Sequence, residues 1–322
     1  MLTFVLRRTL IMIPQLLLLS LIIFMLAKAM PGDAVTGAFM GNPDATPEQV
    51  EKIREKFGLN DPWYVQYGRW VGKAVQGDFG TSYVHSQPVT SLLSGRVANT
   101  LLLSLFTLIV SYLIAIPLGI IAGRWNESWA DKMIVTYNYF AFATPTFVFA
   151  LLLLFMFSFV LGWFPIGNSV DIRIEAGTWD YIVSKAHHLV LPVLAGALLS
   201  TVGTIQYLRN ETIDTKLKDF VKTARAKGVP EGRVYTRHIL RNSILPIAAF
   251  FGYEITGLIG GAIFIESVFS YPGLGQLFMQ SISTRDFTVV TALVLISGTA
   301  TIVGTMLSDI ILSLVDPRIR ID

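Results

Sequence analysis

Glu254 is the one charged residue in the apolar run from Ser243 to Ile265, eleven positions from each end. At about 1.5 Å rise per residue, a helix would place it roughly 16 Å from either mouth of its span. A carboxylate at that depth is costly unless it faces a wet cavity or a partner, so it is a functional candidate by default. Gly252, Gly257, Gly260 and Gly261 leave little bulk around it, which suits either a path through the protein or close helix packing. A second chemistry lies in residues 209–241, where nine basic and four acidic side chains give a net charge of +5. Such a stretch pairs with anionic lipid or with a protein surface. A third is the cluster Trp63, Tyr64, Tyr67 and Trp70, followed by Gly77-Asp78-Phe79-Gly80. These aromatics read either as interfacial anchors and the core of a small unit or as a docking platform for an external partner.

Other chemistries are excluded. No Gly-x4-Gly-Lys-Ser/Thr phosphate loop occurs, so the chain does not cradle ATP by that route. His-Glu-x-x-His is absent, and the four histidines (85, 187, 188 and 238) lack the spacing of a metal site. His187-His188 reads as an interfacial pair. Gly-x-Ser-x-Gly is absent as well. With no Cys there is no disulfide framework, thiolate metal site or thiol nucleophile. Work done across a membrane by this chain must draw on a partner or an ion gradient.

The elements that position these groups are apolar helices. Of the 322 residues 53% are hydrophobic and only 15% charged, with a mean hydropathy of +0.59. Soluble chains carry about 25% charged residues, so this is an integral membrane protein. A bilayer core needs about 20 apolar residues per helix. Six segments qualify: Thr9–Ala27, Thr100–Ala122, Met133–Leu161, Leu189–Leu208, Ser243–Ile265 and Val289–Leu314. Pro117, Pro145, Pro192 and Pro246 fall inside spans, where neighbours satisfy the freed carbonyl. The first segment is longer than a signal-peptide core and reads as a retained span. Basic residues flanking the spans place both termini in the cytoplasm, with 209–241 on the same side.

Between the spans, Thr46-Pro47-Glu48-Gln49 is a helix start of capping-box type, and Val50, Ile53 and Phe57 continue it to Gly58. In the basic segment, Ile213, Leu217, Phe220, Val221 and Ala224 recur at helical spacing. Gly228 can end that helix in the left-handed region, and Pro230 can open a second one through Val234 and His238. Two short helices held between two spans make a stiff protrusion. DNA recognition is excluded because both ends are tethered near the bilayer.

At this point a resemblance enters. Thr223-Ala224-Arg225-Ala226-Lys227-Gly228, then His238-Ile239-Leu240-Arg241-Asn242 and Leu245-Pro246, resemble the loop signature of ABC importer permeases. More narrowly, the chain is similar to the first-type permease of oligopeptide, dipeptide and nickel uptake systems. Met30-Pro31-Gly32-Asp33, Gly58-Leu59, Asp61-Pro62, Gln66-Tyr67, Gly77-Asp78-Phe79-Gly80, Pro88-Val89 and Arg96 extend the likeness. So do Gly260-Gly261, Glu266, Phe269, Pro272-Gly273-Leu274-Gly275 and Asp316-Pro317-Arg318, so it covers nearly the whole chain. One departure is plain. Where the general motif reads Glu-Ala-Ala-x3-Gly, the Glu and first Ala positions hold Lys222 and Thr223.

The resemblance implies an all-α permease of six spans, with an extracytoplasmic segment (30–98) after the first helix (1–29), a core (99–316) and a short tail (317–322). It implies a homologous second permease, two ATPase subunits that hold ATP and magnesium, and an extracytoplasmic substrate-binding protein. Asp219, Thr223, Ala224, Arg225, Gly228, His238 and Arg241 would couple to the ATPases, with Ala224 set tightly against their surface. Glu254, Gly257 and Gly261 would line the substrate path, where Glu254 meets a peptide's amino terminus or stitches the two permeases together. Trp63, Tyr67 and Trp70 would receive the binding protein. The chain itself needs no cofactor and no metal, is not an enzyme, contacts lipid and resides in the plasma membrane. Nickel import and an ion-coupled transporter acting alone are the competing readings.

Overall fold

The computed structural model describes residues 2–29, 48, 55, 60–82, 84–244, 247, 254 and 263–315. In chain order the helices are α1 (Leu2–Ala29), α2 (Trp63–Val75), α3 (Val89–Arg124), α4 (Trp129–Ala143), α5 (Thr146–Leu153) and α6 (Trp179–Leu217). Then come α7 (Asp219–Ala226), the short α8 (Glu231–Arg233), α9 (Ile263–Val268), α10 (Leu274–Ser283) and α11 (Phe287–Val315). Both α5 and α8 run on as π-helix, over Leu154–Val160 and Val234–Leu240. Among the described residues four helical stretches are long and apolar enough to cross a bilayer: Leu6–Ala29, Val89–Arg124, Trp179–Leu217 and Phe287–Met306. The bent pair α4–α5 makes a fifth when counted as one span.

Helix α6 is the axis of the molecule. It lies along α3, and small residues let the two backbones close. A Cβ on Gly123 would come within 2.6 Å of the Thr212 side chain. Leu103, Leu154, Leu191, Val193, Ile265, Phe269 and Tyr271 form the main buried cluster at the end where α6 begins. Helix α1 is peripheral and leans on α11, where Leu19 fills the space above Gly298 and the Thr9 hydroxyl reaches Met306 Sδ at 3.7 Å.

Three expectations shift. The run Met133–Leu161 is not one continuous helix, because it breaks between α4 and α5 with a bend of 103°. Pro145 lacks an N–H and drives Thr144 into extended geometry (φ −91°, ψ 118°), while the Thr144 hydroxyl caps the Phe140 carbonyl at 2.7 Å. Pro117 and Pro192, by contrast, lie inside continuous helices. Helix α3 starts at Val89, so residues 89–98 belong to it rather than to the preceding segment. Helix α6 extends to Leu217, which takes Ile213 and Leu217 out of the expected short helix. Most of 243–265, and 46–58 apart from the helical Glu48 and Glu55, lie outside the described residues.

Candidate functional site

The basic segment folds as a bracket. Lys218 leaves helical geometry (φ −68°, ψ 147°) and ends α6. The eight residues of α7 follow at once, and Gly228 stops them at φ +74°, a left-handed conformation that costs a β-carbon-bearing residue about 1 kcal/mol or more. Pro230 then opens α8 and the π-helical turn behind it. The two arms close over a small core of Val221, Ala224, Val234, Tyr235 and Ile239, with Ile120 of α3 beneath. Arg225 reaches across to Glu231 with nitrogen–oxygen distances of 2.6 and 3.1 Å. These hydrogen bonds hold the Glu231 carboxyl below its usual range and raise the Arg225 guanidinium.

The bracket is fixed to the bundle. Tyr235 donates to the Ile120 carbonyl at 3.3 Å, and the Arg124 guanidinium lies 4.8 Å from the Tyr235 ring centre. Lys216 Nζ donates to the Arg124 carbonyl and to Asn126 Oδ1, both at 2.8 Å. Arg209 grips the buried Asp131 through two bonds of 2.6 and 2.9 Å, which ties α6 to the start of α4. Movement of the bracket therefore has a rigid route into α3, α4 and α6.

The side chains of the bracket divide into two sets. Asp219, Phe220, Lys222, Thr223, Arg225 and Arg241 are exposed, and His238 is half-buried. Ala224, expected to press on a partner, is instead turned into the bracket's own core. The physical reason is competition, because Val234, Tyr235 and Ile239 of the same chain cover the apolar stripe first. The apolar side chains left open beside the bend are Leu217 (69% exposed) and Phe220 (41%).

Within the bundle, Glu254 is half-buried and faces the hydroxyl of Tyr112 on α3, which also meets Thr204 on α6. Gly257 and Gly261 lie outside the described residues. A second carboxylate, whose role the sequence did not disclose, is more deeply set. Glu266 on α9 is fully buried; it accepts from the Thr100 hydroxyl at 2.8 Å and from the Gln276 N–H at 3.0 Å. Thr100 in turn accepts from the Leu274 N–H at 2.7 Å, so the two residues cap the start of α10. Arg96 bonds Gln276 Oε1 at 3.0 Å and adds a nearby positive charge. A Cβ on Gly273 would fall on the Glu266 carboxylate itself. The spacing of Gly273 and Gly275 after Glu266 is the sequence signal of this close approach.

The loop 76–88 is locked at the same end of the bundle. Ser82 Oγ donates to Asp286 Oδ2 at 2.5 Å, both residues being buried. Phe79 packs beside Val89, Leu277 and Val289. The aromatic cluster on α2 is split. Tyr67 and Trp70 turn onto Phe24 of α1, with ring centroids 5.5 and 5.9 Å apart, whereas Trp63 stays 47% exposed. His187 and His188 each donate to a carbonyl, of Trp163 at 2.9 Å and of Ser184 at 2.8 Å.

A helical membrane bundle with a rigid basic bracket at one end and a clamped collar at the other is the build of a multi-pass membrane permease. Comparison with known proteins agrees. Residues 115–321 match the family of binding-protein-dependent transport system inner membrane components, and residues 1–104 match the N-terminal model of the same kind of component. The chain is 41% identical over 321 residues to the oligopeptide transport system permease protein AppB of Bacillus subtilis (strain 168), covering 99% of this chain and 100% of that one. It is 33% identical to the glutathione transport system permease proteins GsiC of Escherichia coli (strain K12) and of Salmonella paratyphi A, with 99% of each chain covered. The chain belongs to the inner-membrane permease family of binding-protein-dependent ABC importers, and it is a multi-pass plasma-membrane protein.

Proposed function

We propose that this permease passes small peptides into the cell as part of an ATP-driven complex. Its companions are a homologous second permease, two ATPase subunits that bind ATP and magnesium, and an extracytoplasmic binding protein. On this reading the chain crosses the membrane six times, with both termini and the bracket in the cytoplasm and the 76–88 loop outside. The observation that carries the reading is the bracket: it holds no nucleotide motif of its own, it is stiff, and its exposed Asp219, Phe220, Thr223, Arg225 and Arg241 present a contact face. Ala224 supports that face from beneath, Gly228 sets its bend, and His238 lies in the π-helical turn behind it. Peptide is favoured over nickel because the named relatives transport oligopeptides and glutathione.

The test is reconstitution of the permease with its companion subunits, followed by ATP-dependent uptake of a labelled oligopeptide. Gly228→Val should lower substrate-stimulated ATP hydrolysis while the permease still inserts. Normal uptake by a well-expressed Gly228→Val variant would reject the coupling role. Glu254, with Gly257 and Gly261 following it in sequence, is assigned to the substrate path on the strength of its depth and its Tyr112 contact. Glu254→Gln should reduce uptake with the complex intact, whereas unchanged uptake would make the residue structural.

A further inference from the structure

The depth at which α2 meets α1 is informative. Tyr67 shares a 2.8 Å hydrogen bond with Ser20 and donates to the Leu17 carbonyl at 3.4 Å. The α1 span ends at Ala29. Ser20 thus lies about 13 Å inside the span at 1.5 Å rise per residue. Helix α11 gives a second ruler. Leu19 covers Gly298, which stands eleven residues beyond Phe287, the first residue of that span. That is about 16 Å below its mouth. Even allowing for the length of the Tyr67 side chain, α2 cannot stand out in solvent.

The residue order of α2 fits that level. On a helical projection Trp70, Trp63, Ala74 and Tyr67 share one arc, and Val71, Tyr64 and Val75 continue it. Gln66, Arg69 and Lys73 occupy the opposite arc, with Arg69 paired to Asp61 at 2.7 Å. Helix α1 covers only part of the apolar arc, at Tyr67 and Trp70. Tyr64 and Val75 remain 60% and 83% exposed. The α1 surface beside them is itself open, with Leu17, Leu18, Ile22 and Leu26 about half exposed or more. An open apolar flank continuous with the open flank of a membrane helix meets the same solvent, which is lipid.

We propose that α2 is an interfacial helix sunk into the leaflet on the side opposite the bracket. Tyr64, Val71 and Val75 rest on acyl chains there, and Arg69 and Lys73 reach up to headgroups. The aromatic cluster then anchors the permease laterally and holds the first span, and it is not a seat for the binding protein.

The absence of native cysteine makes the test clean. Single Tyr64→Cys, Val75→Cys and Lys73→Cys variants of the full chain would carry nitroxide labels in nanodiscs of phosphatidylethanolamine and phosphatidylglycerol. Relaxation by oxygen, which concentrates in lipid, is compared with relaxation by a water-soluble nickel chelate. Oxygen should dominate at positions 64 and 75 and the chelate at 73, a reversal of sign within one helix. Quenching of native tryptophan fluorescence by brominated lipid should weaken in Trp63→Phe, which needs no label. Chelate dominance at 64 and 75 would overturn the assignment and free this face for the binding protein. A loss of both accessibilities on assembly with the second permease would overturn it in favour of a protein contact.

Discussion

The two ends of the bundle use charge in opposite ways. At the collar, Glu266 and Asp286 are buried, and each accepts hydrogen bonds from far away in the chain: Glu266 from Thr100, with Gln276 nearby as a second donor, and Asp286 from Ser82 and Val84. At the bracket, Arg225, Glu231, Lys222 and Asp219 pair in the open. A buried carboxylate is tolerated only when its donors are in place, and removing it leaves those donors without partners. An exposed pair gains little and is screened by salt. The collar is therefore built to stay in one arrangement. The bracket is held by a small apolar core and leaves its charges available to another surface.

The sharpest break in this contrast is Glu266→Ala. It strips acceptors from the Thr100 hydroxyl and the Gln276 N–H inside a closed space, a loss of roughly 3–5 kcal/mol by analogy with broken buried networks. Unfolding of the purified permease in nanodiscs should shift accordingly, and Glu266→Gln should recover part of the loss because one acceptor oxygen returns. A Glu266→Ala protein that melts with the parent would remove the collar from the comparison.

Ser82→Ala is milder. It deletes the short bond to Asp286, but Asp286 keeps the N–H groups of Val84 and Val289, each at 3.4 Å. A cost of about 1–3 kcal/mol follows for one buried polar partner. It should appear locally, as faster hydrogen exchange across residues 76–88 with little change in α6. Uniform acceleration over the whole bundle would mean that the loop is not a separate clasp.

Where the sequence succeeded and where it stopped follow from the range of the interactions. The apolar runs of α1, α3, α6 and α11 announce themselves, because lipid demands length and hydropathy within each segment. The stop at Gly228 is equally local, and φ there is +74°. Pro145 shows the limit. Pro117 and Pro192 sit in unbroken helices with the same local chemistry, so a proline alone does not announce the 103° bend. Ala224 lies on the apolar stripe that the periodicity shows, but what it faces is set by Val234 and Ile239, which cover it from beyond the turn. The role of Glu266 has no local sign in the sequence, because its donor Thr100 is 166 positions away. Tyr67 and Trp70 likewise find Ser20 and Phe24 only through the fold.

The smallest expected effect is the most telling about the bracket. Arg225→Ala removes a pair whose side chains are 43% and 65% exposed, and the apolar core beneath it is untouched. Melting at neutral pH should stay close to that of the parent. The residual difference has a definite pH sign. In the folded chain Arg225 holds the Glu231 carboxyl below its ordinary value. Its contribution is therefore fully present above the unfolded carboxylate range and fades as pH falls through the lowered folded value. Parent and variant should converge in acid and also in high salt at neutral pH, where screening reaches an exposed pair. Coupling should behave differently, because a contact face that loses Arg225 loses a donor fork whatever the stability. Substrate-stimulated ATP hydrolysis in the reconstituted complex should drop at neutral pH with the melting point unchanged. A parallel fall of both would make Arg225 a strut of the bracket, and no fall in either would take it out of the contact.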